Sequence, residues 1–275
     1  LFIWNAKAKC LPKSDVYIAT AVCTAPYISS LSLGCIDMKY YYIQGYEKFI
    51  VPEDGFIRST YRLPLKKIVI SNWLKKIVNG EGQNCELIPN GFDFQVYRLT
   101  IPIERKDKYT ISMLYHINPR KDVKTGIQAI KKVKNRIPQI RLVLFGAYNA
   151  PAGLEKWMTY YKMPTQETHL EINNKAAIYV GCSQIEGWGL TVGEAMMCGQ
   201  AVVCTDNDGY KEMAQNDYNA LISPICDTDS LANNIIRLIE NDELRYRIAK
   251  NGMESIKAFN IEDSYSHFRD YITKE

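Results

Sequence analysis

Ile111-Ser112-Met113-Leu114-Tyr115, the apolar stripe Val123, Ile127, Ile130, Val133 and Ile137, and the run Ile140-Arg141-Leu142-Val143-Leu144-Phe145 closed by Gly146 decide the fold class of this chain. The stripe is spaced by four, three, three and four, the period at which an α-helix presents one apolar face. The flanking runs are short and apolar, the signature of buried strands. Strand, helix and strand in this order predict a βαβ unit. The alternation continues with a strand from Ala177 to Val180, a helix from Leu190 to Cys198, and strands from Ala201 to Cys204 and Ala220 to Ile222. Helices are expected near 228–240 and 243–256, the first with Leu231, Ile235, Leu238 and Ile239 on one face. Together these elements describe a doubly wound α/β domain.

The first hundred residues alternate in the same way, with strands expected at Val16 to Ala19, Tyr40 to Ile43, Ile68 to Ile70 and Glu86 to Ile88. Tyr40, Tyr41 and Tyr42 are read as strand residues rather than a sugar platform. Ser71-Asn72 has the chemistry of a helix cap before Trp73 to Val78. Ile88-Pro89-Asn90-Gly91 stops the pattern with turn residues, and the stretch from there to Lys108 is polar and irregular. The boundary is placed there, giving domains at residues 1–95 and 96–275. The first is small for an open α/β sheet. Its first residue is Leu1 rather than Met, and Leu1-Phe2-Ile3-Trp4 reads as the interior of a core element. The N-terminal domain is therefore expected to be incomplete, and the chain to begin inside a longer gene product.

Composition narrows the function classes. The chain has 275 residues, 47% of them hydrophobic, enough for two cores. Its 34 Lys+Arg and 30 Asp+Glu leave only +4, too slight for a dedicated nucleic-acid binder. That small sum hides an asymmetry: residues 101–175 carry 14 basic and 6 acidic side chains, residues 176–275 carry 8 and 16. A basic wall facing a phosphate is one reading. For Lys124, Lys131, Lys132 and Lys134, which lie off the apolar stripe, a solvated helix face is preferred. No apolar run approaches the ~18 residues of a spanning helix, and no signal peptide is recognised. The eight cysteines form no Cys-x-x-Cys and no paired spacing with the three histidines, so no metal site is expected. Most of them stand among apolar neighbours, as in Val202-Val203-Cys204, and are read as buried reduced thiols of a cytoplasmic protein. Lys66-Lys67 and Lys75-Lys76 leave peripheral contact with an anionic inner-membrane face open, with a solvated surface as the default.

The densest chemistry is Ser183-Gln184-Ile185-Glu186-Gly187-Trp188-Gly189-Leu190-Thr191-Val192-Gly193-Glu194. It lies where a strand ends and a helix begins, the ligand edge of an open α/β sheet. Gly187 and Gly189 allow close approach of backbone to ligand, and the amides of the following helix favour a diphosphate. Glu186 and Glu194 suit hydroxyl donors such as those of sugars. A bland alternative stays open: Thr191-x-x-Glu194 is a capping box, and Glu186 an ordinary loop carboxylate. Glycoside hydrolysis would need carboxyls facing each other across a cleft, which neighbours on one turn do not provide.

Seven residues separate Glu186 from Glu194, with Gly187-Trp188-Gly189-Leu190 inside, and this resembles the Glu-x7-Glu motif of retaining glycosyltransferases of the GT-B architecture, the glycosyl transferases group 1. Glu194-Ala195-Met196-Met197-Cys198-Gly199-Gln200-Ala201-Val202-Val203 is similar to the segment that follows in that family, and Thr205-Asp206 with Gly209 and Glu212 to its next loop. Ser71-Asn72-Trp73-Leu74 and Ile88-Pro89-Asn90-Gly91 match the end of its N-terminal domain. Tyr41-Tyr42-Ile43-Gln44-Gly45-Tyr46-Glu47 is similar to bacterial members, rhamnosyltransferase-like ones included. Phe259 to Ile272 resembles the terminal helix.

The resemblance implies an α/β GT-B fold of two Rossmann-like domains, the N-terminal one incomplete, and transfer of a sugar from a nucleotide-sugar donor with retention and without a metal or other cofactor. In it, Glu186 contacts donor-sugar hydroxyls near the reacting carbon, as the catalytic residue, and Glu194 holds the ribose. The backbone from Gly187 and Trp188 through Gly189, Leu190 and Thr191 meets the diphosphate and sugar. Lys121 matches the lysine that neutralises the leaving diphosphate. Where many members carry an arginine this chain has His116, with Arg120 available to supply the charge. Trp188 is read as packing, with stacking near the donor as the alternative. The expected partners are a nucleoside-diphosphate sugar and an acceptor saccharide or lipid-linked glycan. A binding-only remnant and a nucleotide-sugar epimerase of similar architecture are the alternatives. A nicotinamide oxidoreductase is set aside, because no Gly-x-Gly-x-x-Gly follows a strand.

Overall fold

A computed structural model of the chain describes residues 14–31 and 39–273. Leu1 to Trp4, Cys10 and Cys35 fall outside the described residues. The chain divides into two units, one of residues 1–91 with 262–275 and one of residues 92–261.

In the first unit, β1 (Tyr17–Ala19), α1 (Ala25–Ser29), β2 (Lys39–Ile43), α2 (Asp54–Tyr61), β3 (Lys66–Val69), α3 (Asn72–Gly80) and β4 (Glu86–Leu87) alternate. The four strands pair in parallel in chain order. Tyr40, Ile68 and Ile88 form its core, and Tyr40 and Tyr41 are buried strand residues, as read. Ser71 does stand at the N-cap of α3, with extended backbone, but its side chain makes no capping bond.

The second unit runs through β5 (Asp107–Leu114), α4 (Val123–Arg136), β6 (Arg141–Gly146), β7 (Met158–Lys162), α5 (Gln166–Lys175), β8 (Ala176–Gly181), α6 (Leu190–Met197), β9 (Ala201–Thr205), β10 (Ala220–Ser223), α7 (Thr228–Glu240) and α8 (Asp242–Ile256). Its six strands are all parallel, in the order β10-β9-β8-β5-β6-β7. Parallel strands buried on both faces must be apolar throughout, and β8 and β9 are buried at every residue. The stripe of α4 is buried at Val123, Ile130 and Val133 within the same core as Ile111, Leu142, Val180 and Val203. Lys131 and Lys132 reach out to Glu155 and Asp229, the solvated face expected of them.

The last helix, α9 (Ile261–Thr273), differs from the expected grouping within 96–275. From Glu262 onward it belongs to the first unit, because Phe268, Tyr271 and Ile272 pack on the Tyr40, Ile68 and Ile88 core. The units divide after Gly91 rather than near 95. Phe92 leaves that junction because its amide donates to Phe259 O at 2.8 Å and its carbonyl accepts from the Ile261 amide at 3.1 Å, fixing it to the second unit. The cysteine reading also needs correction. Among the six described, Cys182, Cys198 and Cys204 are buried, while Cys23 and Cys226 are exposed and Cys85 is half-buried. No helix among the described residues is long and apolar enough to cross a membrane.

Candidate donor-binding site

The strand order places the site. In the second unit the chain moves from β5 to one side through β6 and β7, then returns to the other through β8, β9 and β10. The reversal lies between β5 and β8, and a crevice opens outside the carboxyl ends of strands at such a point. The loops leaving those two strands are residues 115–122 and 182–189, which contain most of the residues singled out from sequence.

The first loop is built by its own side chains. The Asn118 amide donates to His116 Nδ1 at 2.9 Å, and Asn118 Oδ1 accepts from the Arg120 amide at 3.0 Å. A 3-10 turn over Pro119–Lys121 follows, and Asp122, at φ +43°, caps α4 through the Thr125 amide. The second loop is held to the first by the Gln184 amide donating to Arg120 O at 2.7 Å, and to the β9 end by Asn207 Nδ2 and Thr205 Oγ1 donating to Ser183 O. Gly209 is required here: a Cβ on it would stand 2.4 Å from the Glu186 carbonyl.

These braces bring Lys121 and Glu186 together across 65 residues of sequence. Lys121 Nζ lies 2.6 Å from Glu186 Oε1, and Ser183 Oγ donates to the same oxygen at 2.7 Å. His116 stands beside them, edge to face with Tyr148 at 4.8 Å. Burial and the charge of Lys121 hold its pKa below the usual histidine value; Glu186 opposes this and Arg120 adds to it. Because Nδ1 accepts the Asn118 amide, the neutral ring carries its proton on Nε2, 3.4 Å from the Tyr148 hydroxyl.

Glu194 settles the capping question. α6 starts from Gly189, whose φ of +108° puts it in the left-handed region, so Gly189 is the N-cap. Thr191 is already the second helical residue, and its hydroxyl accepts from Tyr179 OH at 2.7 Å. A capping box needs its threonine at the N-cap; Glu194, a turn inside the helix, caps nothing. No hydrogen bond or ion pair to its carboxyl exists among the described residues. Burial alone pushes its pKa up to about 7. Tyr97, half-buried nearby, is pushed up by desolvation and then by the Glu194 charge. Trp188 packs rather than lines the site: it is 3% exposed and meets Phe259 edge to face at 5.0 Å. Leu190 is 48% exposed at the helix start. The Val192 and Gly193 amides return to Gly189 O, which leaves those of Leu190 and Thr191 outside the helical ladder.

The pKa of Glu194 has a stability consequence. The folded state keeps this proton to higher pH than the unfolded chain, whose carboxyl titrates near 4.5. Stability is therefore fully present below about 4.5 and declines as the pH rises through about 7. Glu194→Gln is expected to stabilise the protein at pH 8 by on the order of 2–3 kcal/mol and to change little at pH 5. Urea unfolding at the two pH values measures it, and equal effects at both would remove the buried-carboxyl account.

Sequence reasoning gave no role to Ser183, although it opens the segment singled out, and missed Asn207, Tyr210 and Tyr97. Asn207 lies in the Thr205 to Gly209 segment already noted, so a signal was present. Tyr97 had none, being brought to Glu194 from far along the chain only by packing. A groove of about 680 Å³ among Arg141, Thr159, Lys175 and neighbours contains none of the site residues. It lies by the strand starts at Asp107 and Arg141, away from the switch-point crevice.

The sequence profile of the glycosyl transferases group 1 family matches residues 101–255. The chain belongs to that family. It is 27% identical over 211 residues to the putative glycosyltransferase EpsD of Bacillus subtilis, covering 67% of this chain and 55% of that protein. Its fold matches that of TarM with a TM-score of 0.76 at 17% identity, over 94% of this chain and 54% of TarM. It also matches Anabaena HepE, solved in complex with UDP and glucose, with a TM-score of 0.70 at 18% identity over 86% and 71%. The α/β fold of parallel sheets is thus that of GT-B glycosyltransferases. The chain spans about half the length of the curated relatives it matches.

Proposed function

We propose that the second unit binds a nucleoside-diphosphate sugar and that the protein transfers its glycosyl group to a saccharide or lipid-linked glycan, with retention. The observation that carries this reading is the meeting of a cation, a carboxylate and a helix start at the switch point, Lys121 and Glu186 at 2.6 Å beside the first turn of α6. Leaving-group departure builds negative charge on the diphosphate, and preorganised donors at that place lower the barrier. Lys121, the amides of Leu190 and Thr191 and the His116 Nε2–H are of the right kind. This set meets the diphosphate charge without calling on a metal. Glu186 accepts from sugar hydroxyls and Glu194 from the ribose. HepE, whose fold this chain shares, was solved with UDP and glucose, which supports a ligand of this class.

A thermal-shift panel of UDP, GDP, ADP and dTDP with their sugar conjugates tests the reading and names the base and the sugar, rhamnosyl included. At a hundredfold excess over Kd a true ligand stabilises by about 2.7 kcal/mol, which is roughly 5–10 °C for a unit of this size. Glu194→Ala is expected to abolish most of the shift. A shift that survives in the folded variant removes the ribose role. Shift without turnover on acceptors leaves binding as the activity.

A further inference from the structure

The two groups assigned to opposite ends of the donor already hold each other. Lys121, the diphosphate cation of the reading above, is the ion-pair partner of Glu186, the sugar carboxylate. Their side chains are 24% and 14% exposed, so this pair is better shielded than those on the protein surface. One oxygen, Oε1, takes both Lys121 and Ser183, and Oε2 has no hydrogen-bond partner among the described residues.

A bare diphosphate drawn to Lys121 competes with Glu186 for its charge. The carboxylate is then left partly buried, without its cation and beside a like charge, and both effects cost binding energy. A nucleotide sugar makes the same exchange, but its hydroxyls donate to the oxygens that Lys121 releases. The cost therefore falls selectively on the ligand that lacks the sugar.

We propose that Glu186 is a specificity-determining residue that discriminates between the nucleoside-diphosphate sugar and the nucleoside diphosphate left after transfer, by acting as the counter-ion of Lys121 until sugar hydroxyls replace it. The site so built favours donor entry and product release. This inference rests on the donor-site reading.

Isothermal titration of the full chain with the nucleoside diphosphate of largest thermal shift, and with its sugar conjugate, tests it in wild type, Glu186→Gln and Glu186→Ala. Glutamine keeps the shape and an acceptor for Ser183 but removes the charge; alanine is the second variant should glutamine misfold. The bare diphosphate is expected to bind about five- to tenfold tighter in both variants, tenfold being about 1.4 kcal/mol. The conjugate gains nothing, and the gain vanishes when Lys121→Ala is added. Unchanged or weaker diphosphate binding overturns the proposal, as does an equal gain for both ligands. A wild-type chain that binds neither ligand brings down the donor-site reading itself; one that binds both with no change in the variants brings down only the role of Glu186.

Discussion

On the proposed donor-site reading, Lys121→Ala is expected to lower glycosyl transfer by about a hundred- to a thousandfold, the usual cost of removing one oriented donor from developing charge. The lysine is fixed before any ligand arrives. Its turn is closed by Asn118 and its carbonyl accepts from Cys182 Sγ at 3.2 Å, which holds its backbone in place. Such a group needs little reorganisation as charge builds on the leaving diphosphate. The loss should appear mainly in kcat, since the interaction strengthens in the transition state. Affinity for the nucleoside diphosphate should fall while that for the nucleoside stays, and titration of both ligands separates the cases. Equal losses for the two would contradict a phosphate role.

Gly189→Ala carries the largest expected effect on folding. At φ +108° an L-residue is strained by about 1–2 kcal/mol. The new Cβ would also stand 2.5 Å from Cδ1 of Tyr210. That ring is 2% exposed and already confined by Gly181, so it cannot swing aside. Overpacking of this kind adds about 1–3 kcal/mol. A total of about 3 kcal/mol lowers the melting temperature by roughly 6–12 °C, and the displaced loop carries Glu186 with it, so nucleotide binding should fail as well. Gly153→Ala serves as the control. Its φ is +75° but nothing lies within 4 Å of the added atom, so only the backbone strain remains. If both variants melt together, the contact with Tyr210 contributes nothing.

Local sequence carried much of the second unit because parallel strands buried on both faces must be apolar and their helices must show a period near 3.6. β7 and α5 escaped notice for the converse reason. β7 lies at the sheet edge, and Thr159, Tyr161 and Lys162 are exposed, so no apolar run marks it. α5 buries His169, Asn173 and Asn174 alongside Ile172. Asn174 is there to hold chain rather than to fill a core: its Oδ1 accepts from the Thr100 amide at 2.7 Å and its Nδ2 donates to Arg98 O at 3.0 Å. Polar residues buried by hydrogen bonding leave no hydrophobic period to read.

By itself the sequence determined the βαβ alternation, the α/β class and the short list of residues with chemistry to offer, because periodicity and turn residues act over a few positions. It left the role of Glu194 open between capping and ligand, and gave no reason to pair Lys121 with Glu186. Tertiary structure excluded the capping box at Glu194 and made the Lys121–Glu186 pair. The start of α6 depends on the left-handed Gly189 that the Tyr210 ring requires, and the meeting of lysine and glutamate depends on β5 and β8 lying side by side at the reversal of the sheet. Strand order is a non-local property, set by which faces can be buried together, and no window of neighbouring residues contains it.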